Sequence, residues 1–220
     1  MKKFLNIRNI LILLIILIVS VYIIFMRSTN PGASKTSELF YKLINKDIIT
    51  MRLSYEGEDR KENIIFSTNK NIGKTIKITE LYDFSKEAKE LNFSHIKNIT
   101  IIENNKSHTF QLNYDLNNYI EFEEEVYGEE LTDWIESINN IVSGSNYYVK
   151  GYKNINNTEL FTETFPEQEY MFGYVSNELK YIKSKDGFSG NGNTMYEVEL
   201  DEDFIDNSLL EIPNNFNLNN

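Results

Sequence analysis

Apolar positions along this 220-residue chain follow two rhythms, after an opening stretch that has none. Ile10 to Met26 are 17 consecutive residues without a charge, with Ser20 the one clearly polar member. As a helix they would span about 26 Å, the short end for a hydrocarbon core of roughly 30 Å. The run is longer than a signal-peptide core of about 7–15 residues. It ends in Phe25-Met26-Arg27 rather than in a small-x-small cleavage site. A permanent anchor therefore fits better than a cleaved signal. Lys2, Lys3 and Arg8 precede the run and Arg27 alone closes it. The positive-inside rule then assigns 1–9 to a cytoplasmic tail, 10–26 to a single transmembrane helix and the bulk of the chain to the outside. Residues 27–37, "RSTNPGASKTS", read as a linker to an extracytoplasmic domain over 38–220.

Helical spacing appears next. "KTSELFYKLINKD" (35–47) sets Leu39, Phe40, Leu43 and Ile44 on one face, with Thr36 or Ser37 as the N-cap. The rhythm then changes to period two. "ITMRLSYEG", "NIIFSTN" and "GKTIKITELY" predict three strands. A short helix is expected over 83–91, capped by Asp83 or Ser85. Strands resume with "IKNITIIEN" (96–104), turn at Asn104-Asn105-Lys106 and return through "SHTFQLNYD" (107–115). In "NNYIEFEEEVY" (117–127), Ile120, Phe122 and Val126 face the expected core and Glu121, Glu123 and Glu125 the solvent. "GEELTDWIESINNIVSG" (128–144) carries the strongest helical stripe: Leu131, Trp134, Ile135, Ile138, Ile141 and Val142. The last third reads as an antiparallel meander over 146–153, 158–165, 169–175, 178–184 and 194–200.

Composition narrows the functions open to such a domain. Residues 1–34 hold four basic residues and no acidic one, which leaves 18 basic and 33 acidic residues beyond them, a net charge of −15. A domain that acidic repels nucleic-acid phosphates, so DNA and RNA are excluded as partners. The same charge suits solubility or a basic docking partner. Cysteine is absent, which removes disulfides, thiolate chemistry and a lipobox. His95 and His108 are the only histidines, near the ends of two strands that can pair around Asn104. No metal-ligand spacing accompanies them. Carboxylate pairs such as Glu123 with Glu125 and Asp201 with Asp203 are what chance supplies in an acidic chain. No Gly-x-Ser-x-Gly occurs. "GFSGNGN" (187–193) neither follows a buried strand nor opens a helix, so it is not a phosphate cradle. The reading is therefore of a non-enzyme, with no catalytic residues, no metal and no cofactor. The candidate ligand-binding residues are Tyr170, Phe172 and Tyr174, which alternate on a strand that is apolar on both sides.

Three segments of the last third carry a resemblance. "YYVKGYKNINNTELFTETF" (147–165), "MFGYVSNELKYIKS" (171–184) and the closing "SLLEIPNNF" (208–216), in this order, resemble the LolA/LppX-like family of extracytoplasmic lipoprotein-handling domains. The resemblance covers roughly 36–218. It implies an α+β fold: a strongly curved antiparallel sheet, an unclosed barrel, with helices on its concave face. It also implies binding of acyl chains rather than catalysis. A fixed tether suits a local task better than shuttling between membranes. Size and composition are also similar to the GerS-type spore-germination proteins, LolA-like domains that bind and activate a cortex-modifying amidase. The missing lipobox Cys departs from that pattern. Two functions follow as expectations: a tethered domain that engages a protein of the cell or spore envelope, or a binder of lipid or lipoprotein acyl chains.

Overall fold

The computed structural model describes residues 34–125, 133–145, 147–155, 157–185 and 194–219, without the side chains of 133 and 134. The anchor expected over 10–26 lies outside these residues, as do Leu131 and the side chain of Trp134. No helix among the described residues is long and apolar enough to cross a membrane.

The fold is α+β and mostly sheet. Twelve strands form one sheet: β1 (Ile48–Glu56), β2 (Arg60–Asn69), β3 (Lys74–Asp83), β4 (His95–Glu103), β5 (Lys106–Asn113), β6 (Asn118–Glu125), β7 (Val149–Ile155), β8 (Thr158–Phe165), β9 (Tyr170–Val175), β10 (Glu178–Ser184), β11 (Met195–Asp201) and β12 (Asn217–Leu218). Their order is β12-β6-β5-β4-β3-β2-β1-β11-β10-β9-β8-β7, so the sheet is unclosed, with β12 and β7 at its ends. Two meanders, β1–β6 and β7–β11, join where β11 returns to lie against β1. All pairings are antiparallel except β12 alongside β6. The hairpins turn where the sequence said they would. Asn104-Asn105 and Ser176-Asn177 adopt positive φ at both turn positions, as two-residue hairpin loops require.

Helix α1 (Lys35–Ile44) and helix α3 (Asp133–Gly144) pack on each other and on one face of the sheet; α2 (Lys86–Glu90) is one short turn capped by Ser85. Phe40 and Leu43 of α1 and Ile135, Ile138 and Val142 of α3 share a core with β1, β2 and β8–β11. Met51, Leu53, Ile64, Phe66, Phe172 and Val198 project into it. Full burial of each such side chain contributes roughly 1.5–3 kcal/mol. The N-cap of α1 is Ser34, not Thr36 or Ser37. Its hydroxyl oxygen accepts from the Ser37 N–H at 3.2 Å, and a residue distant in sequence adds to the cap. Glu163 on β8 is fully buried, and its Oε2 accepts hydrogen bonds from the Ser34 hydroxyl (2.8 Å), the Thr36 N–H (2.8 Å) and the Thr36 hydroxyl (2.7 Å). Its Oε1 accepts from the Lys35 N–H at 3.1 Å. A carboxylate at this end complements the helix dipole and satisfies donors that have no partner within the helix.

A second core forms on the opposite face. Ile76, Ile78, Ile99 and Leu112 of β3–β5 are covered by the C-terminal segment through Phe204, Ile205, Leu210, Ile212 and Phe216. Polar contacts fix that segment: the Thr50 hydroxyl donates to the Asp203 carbonyl at 2.6 Å, and the Lys97 ammonium to the Leu209 carbonyl at 2.9 Å. The registers show how one sheet buries different faces in its two halves. One cross-strand row runs Leu200–Met51–Phe66–Lys77–Thr100–Thr109–Phe122. It is apolar as far as β2 and mainly polar from β3 to β5. Strand β2 is the crossing point: Ile64 and Phe66 enter the helix-side core, while Ile65 packs against the other.

The Glu163 cluster gives a direct test. Glu163→Leu strands the donors of Ser34, Lys35 and Thr36, and is expected to lower the unfolding free energy by about 2–4 kcal/mol. Glu178→Gln, which touches only a surface pair with Lys180, should change it by less than about 0.5 kcal/mol. Urea unfolding midpoints of the two variants check this.

Candidate functional site

The polar half of that row is the floor of a groove. Strands β3–β6 turn toward the helix side a face that neither α1 nor α3 joins in a core. The hollow there holds about 760 Å³, within the ordinary range for ligand sites. Lys77, Thr79 and Leu81 line it from β3, Ile96, Asn98 and Thr100 from β4, Thr109 and Gln111 from β5, and Phe122 from β6; Phe93, after α2, closes one side. The register accounts for the set: Lys77 pairs with Thr100, Thr79 with Asn98 and Leu81 with Ile96, and β5 continues each row outward.

The lining is divided between hydrogen-bonding and apolar groups. The hydroxyls of Thr100 and Thr109 bond across the strands at 3.1 Å. Asn98 and Gln111 add amides that can both donate and accept. Phe93, Phe122 and Ile120 stay exposed at 56%, 44% and 39%, an apolar rim of the kind that marks interaction sites. Among the described residues the only titratable group in the lining is Lys77, half-buried, with its ammonium 5.5 Å from the centre of the Phe66 ring. No carboxylate lies within ion-pair distance of it among the described residues. Burial holds this ammonium below the usual lysine range, because the charged form has lost water without gaining a counter-ion.

The edge beside the groove is open. β12 pairs with β6 only at Asn118 and Tyr119, so the outer edge of β6 from Ile120 to Glu125 meets no strand among the described residues. The expectation that Ile120 and Phe122 face a core is corrected here. Their side of β6 lies beyond the two helices and belongs to the groove. The acidic side of β6 is engaged by its neighbour: Lys106 pairs with Glu123 at 2.5 Å and His108 with Glu121. No group of three metal-ligating side chains occurs among the described residues.

The aromatic candidates sit elsewhere. Phe172 and Tyr174 are buried in the helix-side core, and Tyr170 packs at its margin. The Phe172 ring meets Phe40 edge-on at 5.7 Å, and the Tyr174 hydroxyl donates to the Thr36 hydroxyl oxygen at 2.7 Å. Desolvation raises the Tyr174 phenol above its ordinary value. The other side of β9 is filled as well: a Cβ on Gly173 would come within 3.2 Å of Tyr181 and 3.3 Å of Leu160. The chain's own side chains thus occupy both faces of this strand.

The two histidines do not meet. His108 pairs with Ile101, six residues along β4 from His95, a separation of about 20 Å. His95 lies on the face opposite the groove, stacked between Tyr82 and Tyr114 at 4.1 and 4.0 Å, with Nε2 2.9 Å from Glu80.

The sequence reading missed the groove. Its signal was a run of uncharged polar residues at alternate positions of three neighbouring strands: Thr79, Asn98, Thr100, Thr109 and Gln111. A freely solvated face more often carries charges there.

No protein-family model matches the chain, and no curated protein does. One solved structure, an uncharacterized conserved protein from Thermus thermophilus, aligns over 81% of this chain and 93% of its own at 6% identity and a TM-score of 0.36. A likeness at that level carries no argument about fold or function.

Lys77 yields a prediction on stability. Its lowered value means that the folded chain releases this proton at lower pH than the unfolded chain. Stability therefore rises with pH between the folded value and the ordinary 10.5, and is flat below that window as far as this group is concerned. Lys77→Met is expected to be more stable than wild type at pH 7 by about 0.5–2 kcal/mol. The difference should shrink as pH approaches 10.5, which thermal unfolding across that range measures.

Proposed function

We propose that this protein is a non-enzymatic, membrane-tethered binding domain outside the cell membrane, and that the groove over β3–β6 receives a segment of an envelope protein. The observation that carries the reading is the lining of the groove. Its amides and hydroxyls match the donors and acceptors of a peptide backbone, and its apolar residues, Leu81, Ile96 and Phe93 at one end and Phe122 at another, match side chains of such a segment. Among the described residues Lys77 is the one titratable group in the lining, and alone it makes no acid–base pair. The open edge of β6 adds support, since an extended segment can extend a sheet at such an edge. The fold reading goes with this proposal: a LolA-like unclosed barrel, strongly curved, with helices on the concave face. The free ends at β7 and β12 and the two helices on one face support it. The GerS-type likeness supplies one partner to try, a cortex-modifying amidase. The anchor over 10–26 remains part of the proposal and rests on the apolar run.

The second reading, an acyl-chain binder, is favoured by the same apolar residues. It is the weaker one. An acyl chain would leave Thr79, Asn98, Thr100, Thr109 and Gln111 facing methylene groups, at the cost of unmade hydrogen bonds.

Site-directed photo-crosslinking in cells separates the two. With the crosslinker at Thr109, the first reading predicts a discrete protein adduct that is absent when the crosslinker replaces Lys153 on β7. It also predicts that Phe122→Ala weakens the adduct by about tenfold, as loss of an apolar anchor does. Adducts of lipid mass alone at Thr109 would establish the second reading, and no adduct at Thr109 would remove both.

A further inference from the structure

Resting on the groove reading above, we infer that Lys77 is the anchor of an anion pocket, and that the partner segment seats a carboxylate, an acidic side chain or its C-terminus, on that ammonium. The argument begins with what surrounds the charge. Lys77 projects from the middle of β3 between Phe66 and Thr100. Thr75 and Thr79 are its neighbours on the same face of its own strand, and Asn98 and Ile102 flank Thr100 on β4. None of these carries a negative charge. Lys46, Lys61, Lys74, Lys106, Lys180 and Lys185 each lie within 4 Å of a carboxylate. Among the described residues no acidic side chain lines the groove.

A half-buried cation without a counter-ion is costly, and its lowered proton affinity reflects that cost. A carboxylate arriving from a ligand relieves it. The contact would be dehydrated on one side by Phe66 and framed by the Thr79 and Thr100 hydroxyls and the Asn98 amide, which can donate to the second carboxylate oxygen. The apolar residues Leu81, Ile96 and Phe122 take the flanking side chains. This chemistry selects an acidic residue set among apolar ones. The groove's amides and hydroxyls favour peptide over fatty acid as the source of the carboxylate, because a peptide backbone satisfies them and an acyl chain does not. The overall negative charge of the domain adds no long-range attraction for such a segment. Selection at Lys77 is therefore short-range, which favours specificity over speed of encounter.

The test uses the full chain in detergent and an array of nine-residue peptides. Each is made twice, once with Asp or Glu and once with Asn or Gln at the same positions. Wild type should hold acidic forms at least tenfold more tightly than their amide twins. Lys77→Met should bring the twins together, and Lys77→Arg should keep the preference. The two variants are read beside unfolding midpoints, so that a loss of fold is not taken for a loss of binding. Equal binding of the twins by wild type, or a preference that survives Lys77→Met, would overturn the anion pocket and leave the groove reading standing. Binding of no peptide at all would overturn both. Oleate held by wild type in place of any peptide would overturn both in favour of the acyl reading.

Discussion

Strand β2 is buried on both faces, and the rest of the structure depends on that. Ile64 and Phe66 enter the core beneath α1 and α3, while Ile65, between them, packs against the core beneath the C-terminal segment. A sheet of twelve strands is too wide for two helices of 10 and 12 residues, about 15 and 18 Å long, to cover. The chain solves this by changing the buried face halfway across. Helices cover one side of β1, β2 and β8–β11, and the segment from Phe204 to Phe216 covers the other side of β3–β5. Among the described residues the helix side of β3–β6 has no such cover, so the groove follows from the switch rather than being an addition to it.

The same logic explains why Glu163 is tolerated in a core. A buried carboxylate costs several kcal/mol unless its oxygens are satisfied. Here one β8 side chain receives four hydrogen bonds from the first residues of α1 and its cap. That contact joins residues about 130 positions apart and sets where α1 begins. α1 carries Phe40 onto Phe172, so the same contact helps to seat the helix on the C-terminal meander. The Tyr174 hydroxyl belongs to the same network through Thr36. The aromatic alternation of β9 serves to hold this helix, and none of these rings lines the groove over β3–β6.

Local features of the fold were legible in the sequence, and long-range ones were not. Period-two alternation located β8 and β10 to the residue, and the Asn-Asn and Ser-Asn pairs located two turns, because these depend on neighbours in the chain. The Ser34 cap was missed although its bond to the Ser37 N–H is local, because Thr36 and Ser37 offered the same capping chemistry and the Glu163 contact that adds to Ser34 lies on β8. Whether the two histidines meet was open, because the register of β4 on β5 is not written in either strand. Ile120 and Phe122 were read as core because alternation tells which residues share a face and not whether that face is covered. The groove was invisible for the same reason. Its lining becomes a site only when β3, β4 and β5 are aligned and the helices are known to stop at β2.

Lys77 shows what distinguishes a covered face from one kept open. Along its row the positions on β1 and β2 are Met51 and Phe66, and those on β3 to β6 are Lys77, Thr100, Thr109 and Phe122. A methionine or leucine at 77 would continue the core by one strand and suit stability better than a desolvated ammonium. Valines at 100 and 109 would do the same for β4 and β5. Such a sheet would need a permanent cover, as β1 and β2 have in α1 and α3. With hydroxyls in those places, and no counter-ion to Lys77 among the described residues, the face remains tolerable in water, and on the reading proposed above a ligand that brings hydrogen-bonding groups and a carboxylate would satisfy it. A less stable residue at the centre of a well-formed groove is the trade that binding sites make against folding. The partner's segment, on this reading, does for β3–β6 what the chain's own helices do for β1 and β2.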